Sequence, residues 1–204
     1  FSEARKVLCD QLLGTLIAIA KDVKIQVEFN PARVAAYRLI GYENRMLNKE
    51  DFNDDKKDAG EIGAGHTVTA LYEITPPGAD EPAPPAVDAL KYQSAPAKHA
   101  IESAHRTDEM LTVKIRYKQP DADVSAKLEF PLVDRGAAYS EASEDFRFAS
   151  AVAAFGMLLR DSAHKGNLTG AAVLELAGTA IGPDASGQRR EFLELVRNAQ
   201  AMQK

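Results

Sequence analysis

Residues 111–130 carry the pattern that most narrows the fold. Leu111, Val113, Ile115 and Tyr117 alternate with Thr112, Lys114, Arg116 and Lys118. Successive side chains of a strand point to opposite faces, so a period of two predicts a half-buried strand. The run Gln119, Pro120, Asp121, Ala122, Asp123 then supplies turn chemistry. Val124, Ala126, Leu128 and Phe130 give the apolar face of a return strand. Val113, Ile115, Val124, Ala126, Leu128 and Phe130 are therefore expected to line one buried sheet face.

The same period recurs upstream. Val23, Ile25, Val27 and Phe29 alternate with Lys24, Gln26 and Glu28, and Asn30 with Pro31 stops the run. Residues 34–43 read as a second strand, 44–65 as a long polar loop with glycines, and Val68, Ala70, Tyr72 and Ile74 as a third strand. Residues 75–86 are proline-rich. Proline fixes φ and removes amide donors, so an extended surface loop is expected there. Leu90 to Tyr92 reads as a short strand, and 93–108 carries weak signals. Turns and loops rather than helices join these strands, which predicts an antiparallel, sandwich-like arrangement.

Helical spacing appears at both ends. Val7, Leu8, Gln11, Leu12 and Leu16 predict a helix over residues 2–20, and a chain that opens inside such a pattern is expected to be cut from a longer protein. After Gly136, Phe148, Val152, Phe155 and Leu159 fall at i, i+4, i+7 and i+11, with Ser143 as N-cap and Lys165, Gly166 and Asn167 as the stop. Val173, Leu176, Ala177 and Ala180 mark a second helix, ended by Gly182 and Pro183; Phe192, Leu195, Val196 and Ala199 mark a third. Phe148, Val152, Phe155, Leu159, Phe192, Leu195 and Val196 are expected to share a core. The predicted class is α+β: an antiparallel β-sandwich-like region over 23–135 and a small C-terminal helical subdomain over 136–204.

The chain has 204 residues, 45% of them hydrophobic and 27% charged, enough apolar content for a real core. Its formal net charge is −5 and it has no basic run, which argues against nucleic acid as a partner. The longest uncharged apolar stretch, Leu12 to Ala20, is too short to span a bilayer. Cys9 is the single cysteine, so neither an internal disulfide nor a structural zinc site can form. Asp51, Asn53 and Asp55 place oxygens at alternate positions as a calcium loop does, but Lys56 and Ile62 stand where such a loop needs Gly and Glu. A solvated loop is the reading favoured. The glycines of 60–65 precede a strand rather than link a strand to a helix, so a bend is expected and not a nucleotide loop. His66, His99, His105 and His164 show no metal-pair spacing, and there is no G-x-S-x-G elbow. No catalytic, cofactor-binding or metal residue is assigned and no cofactor is expected. Asp51, Asn53, Asp55, Glu61 and His66 form a candidate interaction loop.

Longer phrases carry a resemblance. VKIQVEFNPARVAAYRLIGYENR from Val23, DFNDDKKDAGEIGAGHTVTALYEI from Asp51, LTVKIRYKQPDAD over 111–123 and EDFRFASAVAAFGMLLRDS over 144–162 resemble the C-terminal domain of unknown function of bacterial YfbK-like von Willebrand factor A domain proteins. The resemblance covers most of the chain; 75–106 carries least of it. It implies that residues 1–22 are the last helix of an A domain lying upstream, whose Asp-x-Ser-x-Ser metal motif is absent from these residues. It also implies an extracytoplasmic, cell-envelope setting, often with a lipoprotein-type leader, and no known activity. The expected partners are the upstream A domain and an envelope protein. The expected role is a non-catalytic structural or protein-interaction module; the alternative is an independent binding module for cell-wall glycan or peptide, for which exposed Tyr42 and Tyr139 are the aromatics to inspect.

Overall fold

The fold is taken from a computed structural model that describes residues 17–42, 46–78 and 107–202. These residues form two compact units. One runs to Asp134 and holds the main sheet; the other starts at Arg135, takes in Leu39–Gly41 and Thr69–Leu71, and holds the helices. The α+β class with antiparallel sheets and C-terminal helices is thus found. Residues 2–16 of the opening helix expected over 2–20, the strand expected at 90–92 and the stretch 93–106 lie outside the described residues.

The main sheet has the strand order β3-β1-β5-β6, with every neighbouring pair antiparallel. Strand β1 is Ala18–Phe29, β3 is Gly60–Gly63, β5 is Glu109–Lys118 and β6 is Ser125–Val133. The hairpin read from the sequence is β5–β6. Two readings are corrected. Residues 18–22, placed in the opening helix, begin β1 instead. The loop expected over 44–65 contains β3, whose Ile62 and Gly60 pair with Ala20 and Val23. The first misreading has its physical source in a bulge of β1. Its register against β5 shifts between Lys21 and Lys24, and Asp22 there adopts φ 52°, so the alternation breaks at the point where a strand would be recognised.

Beyond the bulge the register is regular. Three cross-strand rungs share one face: Ile25–Ile115–Leu128, Val27–Val113–Phe130 and Phe29–Leu111–Leu132. The other face carries Lys24–Arg116–Lys127 and Gln26–Lys114–Glu129. The expected shared face is found, but its burial is not. Val124, Leu128 and Phe130 are exposed, Ala126 is exposed too, and Ile25 is 51% exposed. Alternation fixes which side chains share a face; it does not supply a second layer to cover them.

A two-stranded sheet pairs β2 (Ala36–Ile40) with β4 (Leu71–Thr75). Ala35 N–H donates to Thr75 O at 2.8 Å. Phe29 reaches these strands: its ring stacks on Tyr37 with centroids 4.0 Å apart and meets the Tyr72 ring at 5.4 Å, in an edge-on arrangement. Burial, then the nearby Tyr37, hold the Tyr72 phenol above its ordinary ionisation range.

In the helical unit, α1 is Glu144–Leu159, α2 is Gly170–Gly178 and α3 is Gln188–Met202. Ser143 caps α1 as expected, its hydroxyl accepting from Phe146 N–H at 3.2 Å, and Thr169 caps α2 in the same way through Ala172 N–H. Helix α1 stops at Leu159, short of the expected stop at Lys165, because Asp161 turns left-handed at φ 49°. Ala151, Ala154, Phe155, Val173, Ala177, Leu193 and Val196 are buried, and Phe148 and Phe155 each contact the Phe192 ring edge-on. Val152, Leu159 and Leu195, expected in this core, are exposed. Val152 and Leu159, each four residues after Phe148 and Phe155, fall round the axis on the far side of those rings from Ala151 and Ala154, and the small Ala151, Ala154 and Ala177 set the close-packed side instead. At the start of α2, Gly170 lies so near the end of α3 that a Cβ would collide with the Gln200 side chain.

Candidate functional site

The acidic loop is held by a short 3-10 turn, Lys49–Phe52, anchored by the buried Phe52 ring. Past the turn its carboxylates and carbonyls turn onto the polar face of the sheet. Asp55 accepts from Arg116 at 2.9 and 3.3 Å and from the Ser125 hydroxyl. Lys118 Nζ donates to Asp55 O at 3.0 Å and pairs with Asp22, the bulge residue, at 2.6 Å. Lys24 has only 2% of its surface exposed and donates its ammonium to Asp54 O. Asp54 itself accepts from Lys56 N–H at 2.9 Å, closing a tight turn.

These contacts perturb the ionisation of the participants. Hydrogen bonds from Ser125 and then Arg116 lower the Asp55 pKa. The bond from Lys118 lowers that of Asp22, and the reciprocal bond raises that of Lys118. The whole is a clasp of alternating charge: the basic row Arg116 and Lys118 on β5 and Lys24 on β1 grips Asp22, Asp55 and two carbonyls of the loop. Its chemistry is positional. Of the oxygens that resembled a calcium loop, the Asp51 carboxylate faces the Lys57 ammonium and the Asp55 carboxylate the Arg116 guanidinium.

The five residues singled out in the sequence separate. Asp55 is at the centre of the clasp. Asp51 lies 3.5 Å from Lys57 Nζ and accepts from Asn48 at 3.3 Å. Asn53 follows the turn as its C-cap residue. Glu61 lies on β3, exposed, and His66 follows it in the turn closed by His66 N–H to Gly63 O at 3.1 Å. Among the described residues, no three or more His, Cys, Asp or Glu side chains gather as metal ligands would. Asp22, Lys24, Arg116, Lys118 and Ser125 were not among the candidate site residues read from the sequence, where Lys24, Arg116 and Lys118 figured only as polar strand positions. One signal was available: Lys114, Arg116 and Lys118 stand at every second position, and such a row of like charge needs counter-ions from elsewhere in the chain.

A second concave region lies in the helical unit. It is a cleft of about 510 Å³ between the end of α1 and the end of α3, lined by Phe155, Leu158, Leu168, Thr169 and Gln200. Its rim ion pair, Lys165 with Asp161, is closed on itself.

The family described as Uncharacterized protein YfbK, C-terminal, matches residues 14–202. This chain belongs to that family. Among YfbK relatives, "Uncharacterized protein YfbK" of Escherichia coli (strain K12) is 43% identical over 198 residues, which cover 97% of this chain and 33% of that protein. The chain therefore spans about a third of the length of the curated relative it matches. No solved structure matches. The YfbK C-terminal match takes in both the clasp and the three helices. No helix among the described residues is long and apolar enough to cross a membrane.

Proposed function

We propose that this chain is a non-catalytic structural or protein-interaction module, attached to a von Willebrand factor A domain in a bacterial cell-envelope protein outside the cytoplasm. The observation that supports this reading best is the uncovered apolar face of the main sheet. Ile25, Leu128, Phe130 and Leu132 belong to three consecutive rungs and are each about half exposed. Fully covering such a side chain stabilises by about 1.5–3 kcal/mol relative to leaving it in water, so a surface of this kind favours association. The matched relative extends well beyond the part this chain covers, and that remainder is the partner the reading names.

The test is to produce the non-overlapping part of the longer protein separately and titrate this chain into it by calorimetry. Saturable binding is expected, weakened at least about tenfold by Ile25→Lys, which places a charge in the middle of the apolar face. Absence of binding with both components folded overturns the reading. A second reading, a binding module for cell-wall glycan or peptide, draws on Tyr42 and Tyr139, both exposed aromatics. It predicts retention on purified cell wall that Tyr42→Ala or Tyr139→Ala abolishes.

A further inference from the structure

Strand β6 ends the main sheet, and among the described residues no strand lies on its outer side. Nearly all of its residues are exposed. The direction of its free backbone groups follows from the register. Asn30 N–H donates to Met110 O at 2.9 Å, continuing the ladder that pairs Phe29 with Leu111. Backbone groups alternate between the two sides of a strand. Met110, Thr112, Lys114 and Arg116 therefore turn theirs toward β1, and Leu111, Val113 and Ile115 toward β6. The β6 partners of the latter, Leu132, Phe130 and Leu128, turn inward. Lys127, Glu129 and Pro131 turn outward, onto the open edge. Pro131, which has no N–H, thus stands where it breaks no bond of its own sheet.

We propose that β6 pairs antiparallel with β6 of a second copy of this chain, in the register centred on Leu128. In that register Lys127 lies opposite Glu129 of the second copy, and Glu129 opposite its Lys127. Both are outward-facing residues, so each such pair also exchanges two backbone hydrogen bonds. On the apolar face Phe130 meets Ala126 of the second copy, Leu132 meets Val124, and Leu128 meets Leu128: apolar throughout, with the larger of each unequal pair set against the smaller. Lys127 and Glu129 already form an ion pair at 2.5 Å along the strand, so both charges lie on the side where the cross-strand pairs form. The registers centred on Lys127 or on Glu129 set like charges face to face, and opposed like charges are unfavourable. A twofold axis makes the contact self-complementary and closed, one edge capping the other. The three-rung face of each copy then continues across the axis.

The experiment is sedimentation equilibrium of the full chain over a range of concentrations, with Lys127→Glu, Glu129→Lys and the double charge exchange. A reversible dimer is expected for the parent. Each single variant sets two pairs of like charge against each other and weakens the dimer by about tenfold or more. The double variant restores the opposite-charge pairs and with them the parent dissociation constant. Circular dichroism of each variant checks the fold. Amide exchange of the parent gives a readout that needs no variant: the Lys127 and Glu129 amides lose protection as the protein is diluted through the dissociation constant. A chain that stays monomeric, a dimer indifferent to the single exchanges, or a double variant that stays weakened each overturns the proposal. So does protection of those two amides in the monomer, which means another segment occupies the edge.

Discussion

Lys24 and Arg189 show how much one long side chain can organise. Lys24 lies on a strand between apolar neighbours, buried beneath the loop, with Asp54 O as its acceptor. Lys24→Met keeps the stem but strips that carbonyl of its donor, and losing one such hydrogen bond costs about 0.5–1.5 kcal/mol. Urea denaturation should show a loss of that size, with exchange of the 51–57 amides accelerated. Arg189 joins all three helices. It donates to Ala180 O at 2.9 Å and Ile181 O at 3.5 Å beyond the end of α2, pairs with Asp145 in the first turn of α1, and lies 4.9 Å over the Phe148 ring. Its own N–H, with that of Arg190, bonds the Asp184 carboxylate; burial alone would raise the Asp184 pKa, but these N–H groups lower it. Arg189→Lys keeps the charge and loses the planar fork that reaches the two carbonyls and the Asp145 carboxylate together. A loss of about 1.5–3 kcal/mol is expected for it, and a titration that shows less than a third of that would refute the bridging role.

At the scale of elements, packing is tested most directly on α1. Phe155 is buried among Val173, Val196 and Phe192, so Phe155→Ala should cost about 3–5 kcal/mol in chemical denaturation through lost transfer energy plus a cavity. Val152→Ala and Leu159→Ala, on the exposed side of the same helix, should each cost less than about 1 kcal/mol. The contrast marks what the sequence disclosed and what it did not. The hairpin, the three helices and the Ser143 cap were legible because each depends on a local period or a single capping side chain. Which stripe of α1 is buried was not, since the alanines that define it carry almost no hydrophobic signal. The strand Gly60–Gly63 was hidden for a different reason: its two glycines read as a bend, and only the pairing with the bulged β1 makes them a strand. The clasp was half legible. Asp55 stood out by its acidic neighbours; its partners lie 61 and 70 residues further along the chain, at Arg116 and Ser125, and no local window joins them.

For the molecule as a whole, acidity and alkalinity should act through the clasp. Asp22 and Asp55 have pKa values lowered from 3.8, so their contribution is fully present above the unfolded carboxylate range and is lost as pH falls through the lowered values. Lys118 and Lys114 are raised from 10.5, by Asp22 and Glu28 respectively; their contribution is fully present below the unfolded lysine value and is lost as pH rises through the raised ones. Thermal unfolding followed against pH should show a plateau between about pH 5 and 10 with a fall at each end. Lys118→Gln should reduce the acid-side slope, because Asp22 then loses the partner that lowers it. An unchanged slope in that variant would mean that Asp22 draws its shift from elsewhere. The bulge at Asp22 bears on time as well as on stability. Asp22 and Lys118 are 96 residues apart, so this contact forms only as β1 and β5 find their register; Lys118 and Asp55 are 63 apart, and their contact waits on the placement of β5. The bond from Lys24 to Asp54 O spans only 30 residues and can close early, so the loop over 48–58 is expected to meet β1 first and to be locked onto β5 late in folding.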